Sequence, residues 1–523
     1  MAAGDHLRVG VVLDERAVPR WHETAMDQID RLGFCEVIVL TREPGGGEST
    51  GLREALRHAL YNAYVLVDRR VFGSDDDPVA RVPLRRPGVP LGEIASQDLD
   101  VVLCLAPEAS PADLAGYARL GAWSVYGEAQ LFWRMYHAEF VAPITLRAAT
   151  PTAGERTICC SVVQSDQVSL HRSRCRATRR SAHLPARGLR ALHEHGSASI
   201  GSSPGEAEDR SRPTNAMMVR LLWRVASGVL RRRASGWLRE KQWFIAYRRG
   251  SAPPTPIMPP PGRFYADPFL FQRDGRRYAF FEDYDWTSGR AVICYLEIDE
   301  RGRHCSPQLA LRQDCHLSYP FVFAEGDDVY MLPETAGHRT VELYRAARFP
   351  GEWTLERVLL RDVTATDATL LRHEGRWWLF VALAVDGGRP IDELCLFSSD
   401  SLNGQWEPHP LNPVVSDVRS ARPAGRIFSR NGQLIRPAQD CSEAYGGRLV
   451  FNRIDVLSPT EYREEPIGAI EPAVDTGNLR THSYDSDGTY EVLDGFRMRP
   501  RSALARISRE APSPRWHRVD LEA

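Results

Sequence analysis

Residues 263–271 read RFYADPFLF, so one carboxylate, Asp267, stands inside an apolar and aromatic run. A run of this length is typical of a buried β-strand. Related segments follow downstream: SYPFVF at 318–323, TDATLL at 366–371 and RPAGRIF at 422–428. The recurrence of one pattern predicts a repeat architecture in this part of the chain.

The repeats have the period of propeller blades. Their polar residues Asp267, Tyr319, Asp367 and Arg422 lie roughly 50 residues apart, which is the range for one blade per period. Each repeat continues as an apolar strand, turns at Gly or Asp, and gives a second aromatic strand. We therefore predict a β-propeller whose innermost strands direct polar side chains towards one central opening.

A fifth, shorter unit decides the number of blades. It centres on THSY at 481–484 and ends with VLDG at 492–495. Five units predict an all-β, five-bladed propeller over residues 251–510. Four blades with an irregular closing segment are the alternative.

The composition excludes several classes of protein. A chain of 523 residues with 43% hydrophobic and 26% charged residues is expected to form two or three globular domains. The net charge of −2 argues against a nucleic-acid-binding protein. The ten cysteines include no CxxC pair, which excludes the usual zinc spacings and a disulfide scaffold. We expect no metal and no cofactor, and a reduced, cytoplasmic chain without a secretory signal.

Residues 1–165 have the pattern of an α/β domain. Apolar strands at 8–14, 35–40 and 99–105 alternate with segments of helical spacing. This alternation predicts a parallel sheet, with any site at the carboxyl ends of its strands.

Residues 166–250 are predicted to be an arginine-rich helical connector. Arginine is dense between 172 and 190, and residues 217–237 place apolar side chains at helical spacing among further arginines. Such a helix can lie on an anionic membrane surface. The alternative is a connector helix that packs on a neighbouring domain and keeps its arginines in solvent.

The N-terminal domain resembles that of the formyltransferases, through the segment DVVLCL at 100–105 and the strand and helix order around it. In that family the next strand carries an Asn-x-His pair, followed later by an Asp, and these residues shuttle a proton. Here Ser124, Val125 and Tyr126 stand at the matching place. The resemblance implies a formyltransferase-like fold, but no imidazole is present to serve as the acid or base.

The repeats resemble the propeller of glucosamine inositolphosphorylceramide transferase-type proteins. The segments RFYADPFLF, LSYPFVF, YMLPET, RPAGRIF, RPAQD and THSYDSDG carry this resemblance. It extends to five-bladed glycoside hydrolases of the family 43-like group, and the two halves together resemble bacterial proteins with both domains. In plant-type transferases a separate glycosyltransferase domain accompanies the propeller, and we recognise none in this sequence.

The resemblance implies a set of carboxylates. In such enzymes acids from different blades meet, one acting as base or nucleophile and one as proton donor, while a third orients them. Asp267 resembles the base and Asp367 the orienting acid, and we assign Glu334 as proton donor with Glu443 in reserve. The alternative for each aspartate is a turn residue that bonds nearby backbone N–H groups.

Further polar residues lie in or next to the inner segments and are predicted to bind substrate. Arg422 and Arg436 are suited to a phosphate or carboxylate, or each forms an ion pair with a propeller carboxylate. The predicted substrate-binding residues are Glu282, His316, Tyr319, Arg422, Arg436, Gln439, Asp440 and His482.

These observations lead to a functional hypothesis. We expect glycosyl transfer from a sugar or nucleotide-sugar to a phosphorylated, glycan or lipid-linked acceptor at the propeller mouth, by a protein peripheral to the membrane. Glycoside hydrolysis and glycan binding without catalysis are the alternatives. Formyl transfer by the N-terminal domain is the least favoured.

Overall fold

The computed structural model describes residues 6–13, 17–42, 52–106, 109–150, 154–196, 211–385, 388–472, 477–500 and 516–518. The chain divides into two compact units, Met1–Val229 and Leu230–Ala523. In the described part of the chain, no helix is both long enough and apolar enough to cross a bilayer.

The first unit is built on a seven-stranded sheet. Its strands are β1 (Leu7–Leu13), β2 (Ala17–Pro19), β3 (Cys35–Thr41), β4 (Arg81–Pro83), β5 (Gly88–Pro90), β6 (Val101–Cys104), β7 (Ala122–Tyr126), β8 (Val141–Ala149) and β9 (Arg156–Gln164). The order is β5-β3-β1-β6-β7-β8-β9, and β2 pairs only with β4. The first five strands of the sheet are parallel, whereas β8 is antiparallel to both neighbours. The predicted α/β domain with a parallel sheet is confirmed.

Helices cover both faces of this sheet. Those in the described residues are α1 (Arg20–Asp30), α2 (Leu52–Arg57), α3 (Ala59–Phe72), α4 (Pro111–Leu114), α5 (Leu131–His137), α6 (Leu170–Ser181), α7 (Leu184–His195) and α8 (Asn215–Leu238). Successive residues of β1 point to opposite faces of the sheet. Val11 packs in the hydrophobic core on one face, and Val12 packs in the core on the other face. A central parallel strand is covered on both faces, which explains why β1 is an almost continuous apolar run.

The predicted connector over 166–250 is divided between the two units. Leu170 and Ala177 of α6 and Leu189 of α7 lie in a core of the first unit, because their spacing gives each helix one apolar face. The many arginines between 172 and 190 made this apolar spacing hard to recognise in the sequence. The last residues of the segment form a propeller strand.

The second unit is a five-bladed propeller. It begins with β10 (Arg239–Arg249) and β11 (Thr255–Ile257). Blade 1 contains β12 (Arg263–Arg273), β13 (Arg276–Asp285), β14 (Arg290–Ile298) and β15 (Gln308–Leu311). Blade 2 contains β16 (Ser318–Glu325), β17 (Asp328–Thr335), β18 (Thr340–Arg348) and β19 (Glu352–Arg361). Blade 3 contains β20 (Ala365–His373), β21 (Arg376–Leu383), β22 (Leu394–Ser399) and β23 (Glu407–Pro408).

The remaining blades close the ring. Blade 4 contains β24 (Arg422–Pro423), β25 (Phe428–Arg430), β26 (Gln433–Asp440), β27 (Arg448–Leu457), β28 (Tyr462–Pro472) and β31 (Trp516–Arg518). Blade 5 joins β29 (Tyr484–Ser486) and β30 (Tyr490–Pro500) to β10 and β11. The pairing of β10 with β30 along its whole length joins the first strand of the unit to a strand near its other end, which closes the ring of blades. The prediction of five blades is confirmed, and the fifth begins with β10, before residue 251.

The innermost strands of blades 1, 2 and 3 share one irregularity. In β12, Asp267 and Pro268 together face the single residue Phe281. The same two-against-one register recurs at Tyr319 and at Asp367. These three residues have φ of 50°, 47° and 54°, the left-handed region of a bulge that redirects a side chain. In blades 1, 2 and 3, the period seen in the sequence is therefore that of a repeated β-bulge.

Candidate functional site

The repeated bulge brings a second residue into register with each blade. On the neighbouring strand, Glu282 faces Ala266 and Glu334 faces Ser318, immediately before the bulges of blades 1 and 2. Blade 3 has Ala382 at the matching position. Blades 1 and 2 thus each contribute one bulge residue and one carboxyl group from the adjoining strand.

Asp367 is held on both of its oxygens. Arg422 donates from Nε to Oδ2 at 2.6 Å and from Nη2 to Oδ1 at 3.2 Å, and Gln439 Nε2 donates to Oδ2 at 2.7 Å. All three residues are buried. Charge-assisted bonds of this kind fix the carboxylate and its orientation. The alternative in which Arg422 pairs with a propeller carboxylate therefore describes the structure.

Asp267 lies in a less compensated environment. Ser483 Oγ donates to its Oδ1, and His482 Nε2 lies 3.3 Å from the same oxygen. Burial, with smaller contributions from Asp367 and Asp494 and against the opposing effect of His482, raises the pKa of Asp267 to about 6. A carboxylate with this pKa can accept a proton near neutral pH.

His482 lies between two aspartates. Its Nδ1 is 2.5 Å from Asp494 Oδ2, opposite the contact of Nε2 with Asp267. Asp494 Oδ1 also accepts the backbone N–H groups of His482 and Ser483 at 2.7 and 3.1 Å. Burial opposes protonation, yet Asp494 and Asp267 together raise the pKa of His482 above its usual value.

Asp267, His482 and Asp494 form a potential metal-binding group, but their spacing argues for direct ion pairs between the side chains. Ligand atoms of Asp267, His482 and Asp494 all lie within 4.8 Å of one another. Two atoms bound to one ion at about 2.0–2.2 Å lie about 2.8 Å or more apart. The 2.5 Å separation of His482 Nδ1 and Asp494 Oδ2 is too short for two ligands of one ion and marks a close ion pair.

Glu334 lies in an environment that favours its protonated form. Burial, with a further contribution from Asp367 and against the opposing effect of Arg422, raises the pKa of Glu334 to about 8. Its Oε2 lies 3.8 Å from Arg422 Nη2, and within the described residues this oxygen has no hydrogen-bond partner. A carboxyl group that keeps its proton at neutral pH can act as a general acid.

Glu282 extends the group of acids. Burial raises its pKa well above the usual value, and Asp267 and Glu334 add to the rise. His316 Nε2 lies 3.4 Å from Glu282, while His316 Nδ1 accepts the backbone N–H of Ala291 at 3.2 Å. The neutral imidazole therefore carries its proton on Nε2, facing Glu282.

Two tyrosines complete the surroundings. Tyr319 is fully buried, and its hydroxyl bonds Thr369 Oγ1 at 2.9 Å. Tyr445, which the sequence did not single out, lies with its ring 4.8 Å from the guanidinium of Arg422 and 5.1 Å from the ring of His482. We call the group formed by these residues the central cluster; its members are Asp267, Glu282, His316, Tyr319, Glu334, Asp367, Arg422, Gln439, Tyr445, His482, Ser483 and Asp494.

Two predicted binding residues make contacts outside this cluster. Arg436 is buried and donates from Nε to Glu464 at 2.7 Å inside blade 4. Asp440 accepts from Arg448 Nε at 2.9 Å. Both contacts join strands of one blade, so the ion-pair alternative describes Arg436. Glu443, the reserve acid, has an exposed side chain.

The first unit has an opening of its own. A cavity of about 1030 Å³ lies at the carboxyl ends of β6 and β7, where Ser124 Oγ donates to Cys104 O at 3.1 Å. Tyr126 bonds Glu155 beside it. The described residues that line the cavity include no histidine.

The comparisons with known proteins concern the propeller. The sequence profile of the family described as "Glucosamine inositolphosphorylceramide transferase 1, N-terminal" matches residues 255–480. The chain is 36% identical over 252 residues to glucosamine inositolphosphorylceramide transferase 1 of Oryza sativa subsp. japonica, covering 46% of this chain and 34% of that protein. It is 35% identical over 261 residues to the protein of that name from Arabidopsis thaliana, covering 47% and 34%. The chain thus spans about a third of the length of these relatives, and the predicted resemblance of the propeller is confirmed.

Solved structures were also matched. Zg3597, a family 117 glycoside hydrolase of Zobellia galactanivorans, is 14% identical, with a TM-score of 0.34 and coverage of 49% of this chain and 90% of that one. The catalytic domain of the GH62 α-L-arabinofuranosidase of Coprinopsis cinerea is 13% identical, with a TM-score of 0.34 and coverage of 49% and 96%.

Proposed function

We propose that the protein transfers a glycosyl group from a nucleotide-sugar to a lipid-linked or phosphorylated acceptor, and that the reaction takes place at the central cluster. One observation carries this proposal: three carboxyl groups from three blades have three different environments. Asp367 accepts hydrogen bonds from Arg422 and Gln439, the pKa of Asp267 is about 6, and that of Glu334 is about 8. Such a division of proton affinities suits an acid and base pair.

The roles follow from these environments. Asp267 takes the proton of the acceptor hydroxyl as its oxygen attacks the anomeric carbon. The bond from that carbon to the leaving oxygen breaks, and Glu334 gives its proton to the leaving group. Asp367, fixed by Arg422 and Gln439, orients the other two and contributes to the raised pKa of both.

The relatives' name supplies the substrates to try first. The full chain is incubated with nucleotide-activated glucosamine and inositolphosphorylceramide in detergent micelles, and released nucleotide and glycosylated lipid are measured. We expect both products with the wild type. Asp267→Asn should lose them, and Asp274→Asn, which changes an exposed aspartate in the turn of the same blade, should retain them.

Glycoside hydrolysis is the second candidate, because the same acid and base can direct water to a sugar. It would give reducing ends from an oligosaccharide without an activated donor. A binding module would show a third result: no turnover in the wild type and glycan binding that survives the double variant Asp267→Ala and Asp367→Ala.

A lipid-linked acceptor implies contact with a membrane, and we propose that α8 makes it. The helix contains five arginines and no acidic residue. Val219, Trp223, Leu230 and Trp237 are 59%, 76%, 72% and 85% exposed, and their spacing places them on one face. Tryptophan and leucine flanked by arginine suit the surface of an anionic bilayer. Sedimentation with vesicles that contain phosphatidylserine should capture the wild type and lose the double variant Trp223→Ala and Trp237→Ala.

The proposal assigns no formyl transfer to the first unit. We infer that its formyltransferase-like sheet does not transfer formyl groups, since Ser124 and Tyr126 occupy the place where that family has its Asn-x-His pair. A cytoplasmic location stays a prediction. A folate-dependent formyl transfer by the purified chain would overturn this inference without affecting the propeller.

A further inference from the structure

Three side chains of the first unit meet away from the cavity and the central cluster. His171 and Cys175 lie one turn apart on α6, and Asp77 belongs to the segment between α3 and β4. His171 Nε2 lies 3.5 Å from Cys175 Sγ and 3.4 Å from Asp77 Oδ2, and Cys175 Sγ lies 3.5 Å from Asp77 Oδ1. The side chains of Asp77 and His171 are 6% and 5% exposed.

The three separations are close to those between ligands of one metal ion, and Asp77 faces His171 with Oδ2 and Cys175 with Oδ1. Zinc binds sulfur at about 2.3 Å, imidazole nitrogen at about 2.0–2.1 Å and carboxylate oxygen at about 2.0–2.2 Å. In a tetrahedral site such ligand atoms lie about 3.3–3.6 Å from each other. A direct hydrogen bond from an imidazole to a carboxylate is shorter, at about 2.7–3.2 Å. The imidazole and carboxylate separation of 3.4 Å is longer than such a bond and close to that between two zinc ligands.

The surrounding structure fixes each of the three groups. Residues four apart on a helix project on the same face, which aligns His171 with Cys175. The backbone N–H of His171 donates to Asp68 Oδ2 at 2.7 Å and ties the start of α6 to α3. Asp77 Oδ1 accepts the N–H of Val79 at 3.0 Å. Carboxylate ligands in metal sites are themselves commonly hydrogen-bonded in this way.

We propose that Asp77, His171 and Cys175 bind one zinc ion, with a non-protein ligand at the fourth position. A thiolate, an imidazole and a carboxylate form a donor set that suits zinc. The two negative ligands balance the charge of the ion in a buried place. The ion joins the segment before β4 to α6 and so stabilises this side of the first unit.

Two other groups in the chain fit an ion less well. In blade 2, Asp314, Cys315 and His338 are grouped, but His338 Nε2 lies only 2.6 Å from Asp314, whose side chain is 87% exposed. In the central cluster, His482 Nδ1 and Asp494 Oδ2 are only 2.5 Å apart. Of these three groups of described residues, the one on α6 has all its separations near those of a tetrahedral site.

The test uses the full chain purified without chelator. Zinc per chain is measured by mass spectrometry, and affinity by competition with a chromogenic chelator. We expect one zinc in the wild type, and a loss of affinity of at least about ten-fold in Cys175→Ser. Cys160→Ser is the matched control, because it removes an exposed thiol from the same unit and should leave the zinc content unchanged.

A second measurement covers the case in which Cys175→Ser does not fold. Cobalt added to the zinc-free wild type should give a thiolate-to-metal charge-transfer band, and Cys160→Ser should keep this band. Zinc should also raise the unfolding temperature of the chelator-treated wild type. A folded wild type that binds no zinc, a cobalt complex without a thiolate band, or equal affinities in wild type and Cys175→Ser would overturn the proposal.

Discussion

Two buried groups in this protein combine aspartate with histidine, and they differ in spacing. In the central cluster, His482 lies 2.5 Å from Asp494, whereas in the first unit His171 lies 3.4 Å from Asp77. The shorter distance marks a close ion pair, and the longer one is near the separation of two ligands of one ion. The same pair of residue types thus supports proton chemistry in one unit and metal binding in the other.

The largest expected effect tests the proton chemistry of the central cluster. Asp267→Asn removes the group that accepts the proton, and general acid–base catalysis contributes about 10²- to 10⁴-fold to a rate. We expect transfer to fall by about that factor, measured as nucleotide release from the donor. Unchanged turnover would show that Asp267 is not the base.

The next largest effect concerns stability and tests whether Arg436 belongs to a structural ion pair with Glu464 and not to the central cluster. Arg436→Ala leaves Glu464 buried without its partner, and such a loss costs about 3–5 kcal/mol of unfolding free energy. Arg453→Ala breaks an exposed pair with Glu465, whose side chain is 61% exposed, and should cost less than about 1 kcal/mol. Chemical denaturation measures both variants. Equal costs would contradict the placement of Arg436 in a buried ion pair.

The sequence predicted those members of the central cluster that lie in the repeated segments. Asp267, Tyr319 and Asp367 recur because blades 1, 2 and 3 share the same bulge, and Glu334 and Glu282 recur at one register position beside it. Arg436 lies in an inner segment too, but its partner Glu464 is on β28. No spacing along the chain indicates on which side of a blade such a side chain lies.

Other residues could be found only from the fold. Asp494 stands in the VLDG segment that marked the end of the fifth unit, yet its contact with His482 depends on the pairing of β30 inside blade 5. The proposed zinc ligands show the same limit. His171 and Cys175 are separated by one helical turn, but Asp77 precedes Cys175 by 98 residues, so no compact cysteine motif announces the site.

A smaller effect sharpens the assignment of acid and base. Transfer needs Asp267 deprotonated and Glu334 protonated, and their pKa values are about 6 and about 8. The rate should therefore rise as pH increases through about 6 and fall as pH increases through about 8. Glu334→Gln should remove the alkaline limb, because no proton is left to lose there. An alkaline limb that persists in this variant would assign the acid to another residue.

The smallest expected effect is the most direct test of the comparison. Asp494→Asn keeps an oxygen that can accept the two backbone N–H groups but removes the charge beside His482. If His482 forms an ion pair with Asp494 and binds no metal ion, the zinc content of the purified variant equals that of the wild type. Only the pH dependence of transfer then changes. A variant with less zinc would place an ion at the central cluster as well. The imidazole–carboxylate distance would then no longer distinguish the two groups, and Asp267 and His482 would have to be reassigned as metal ligands.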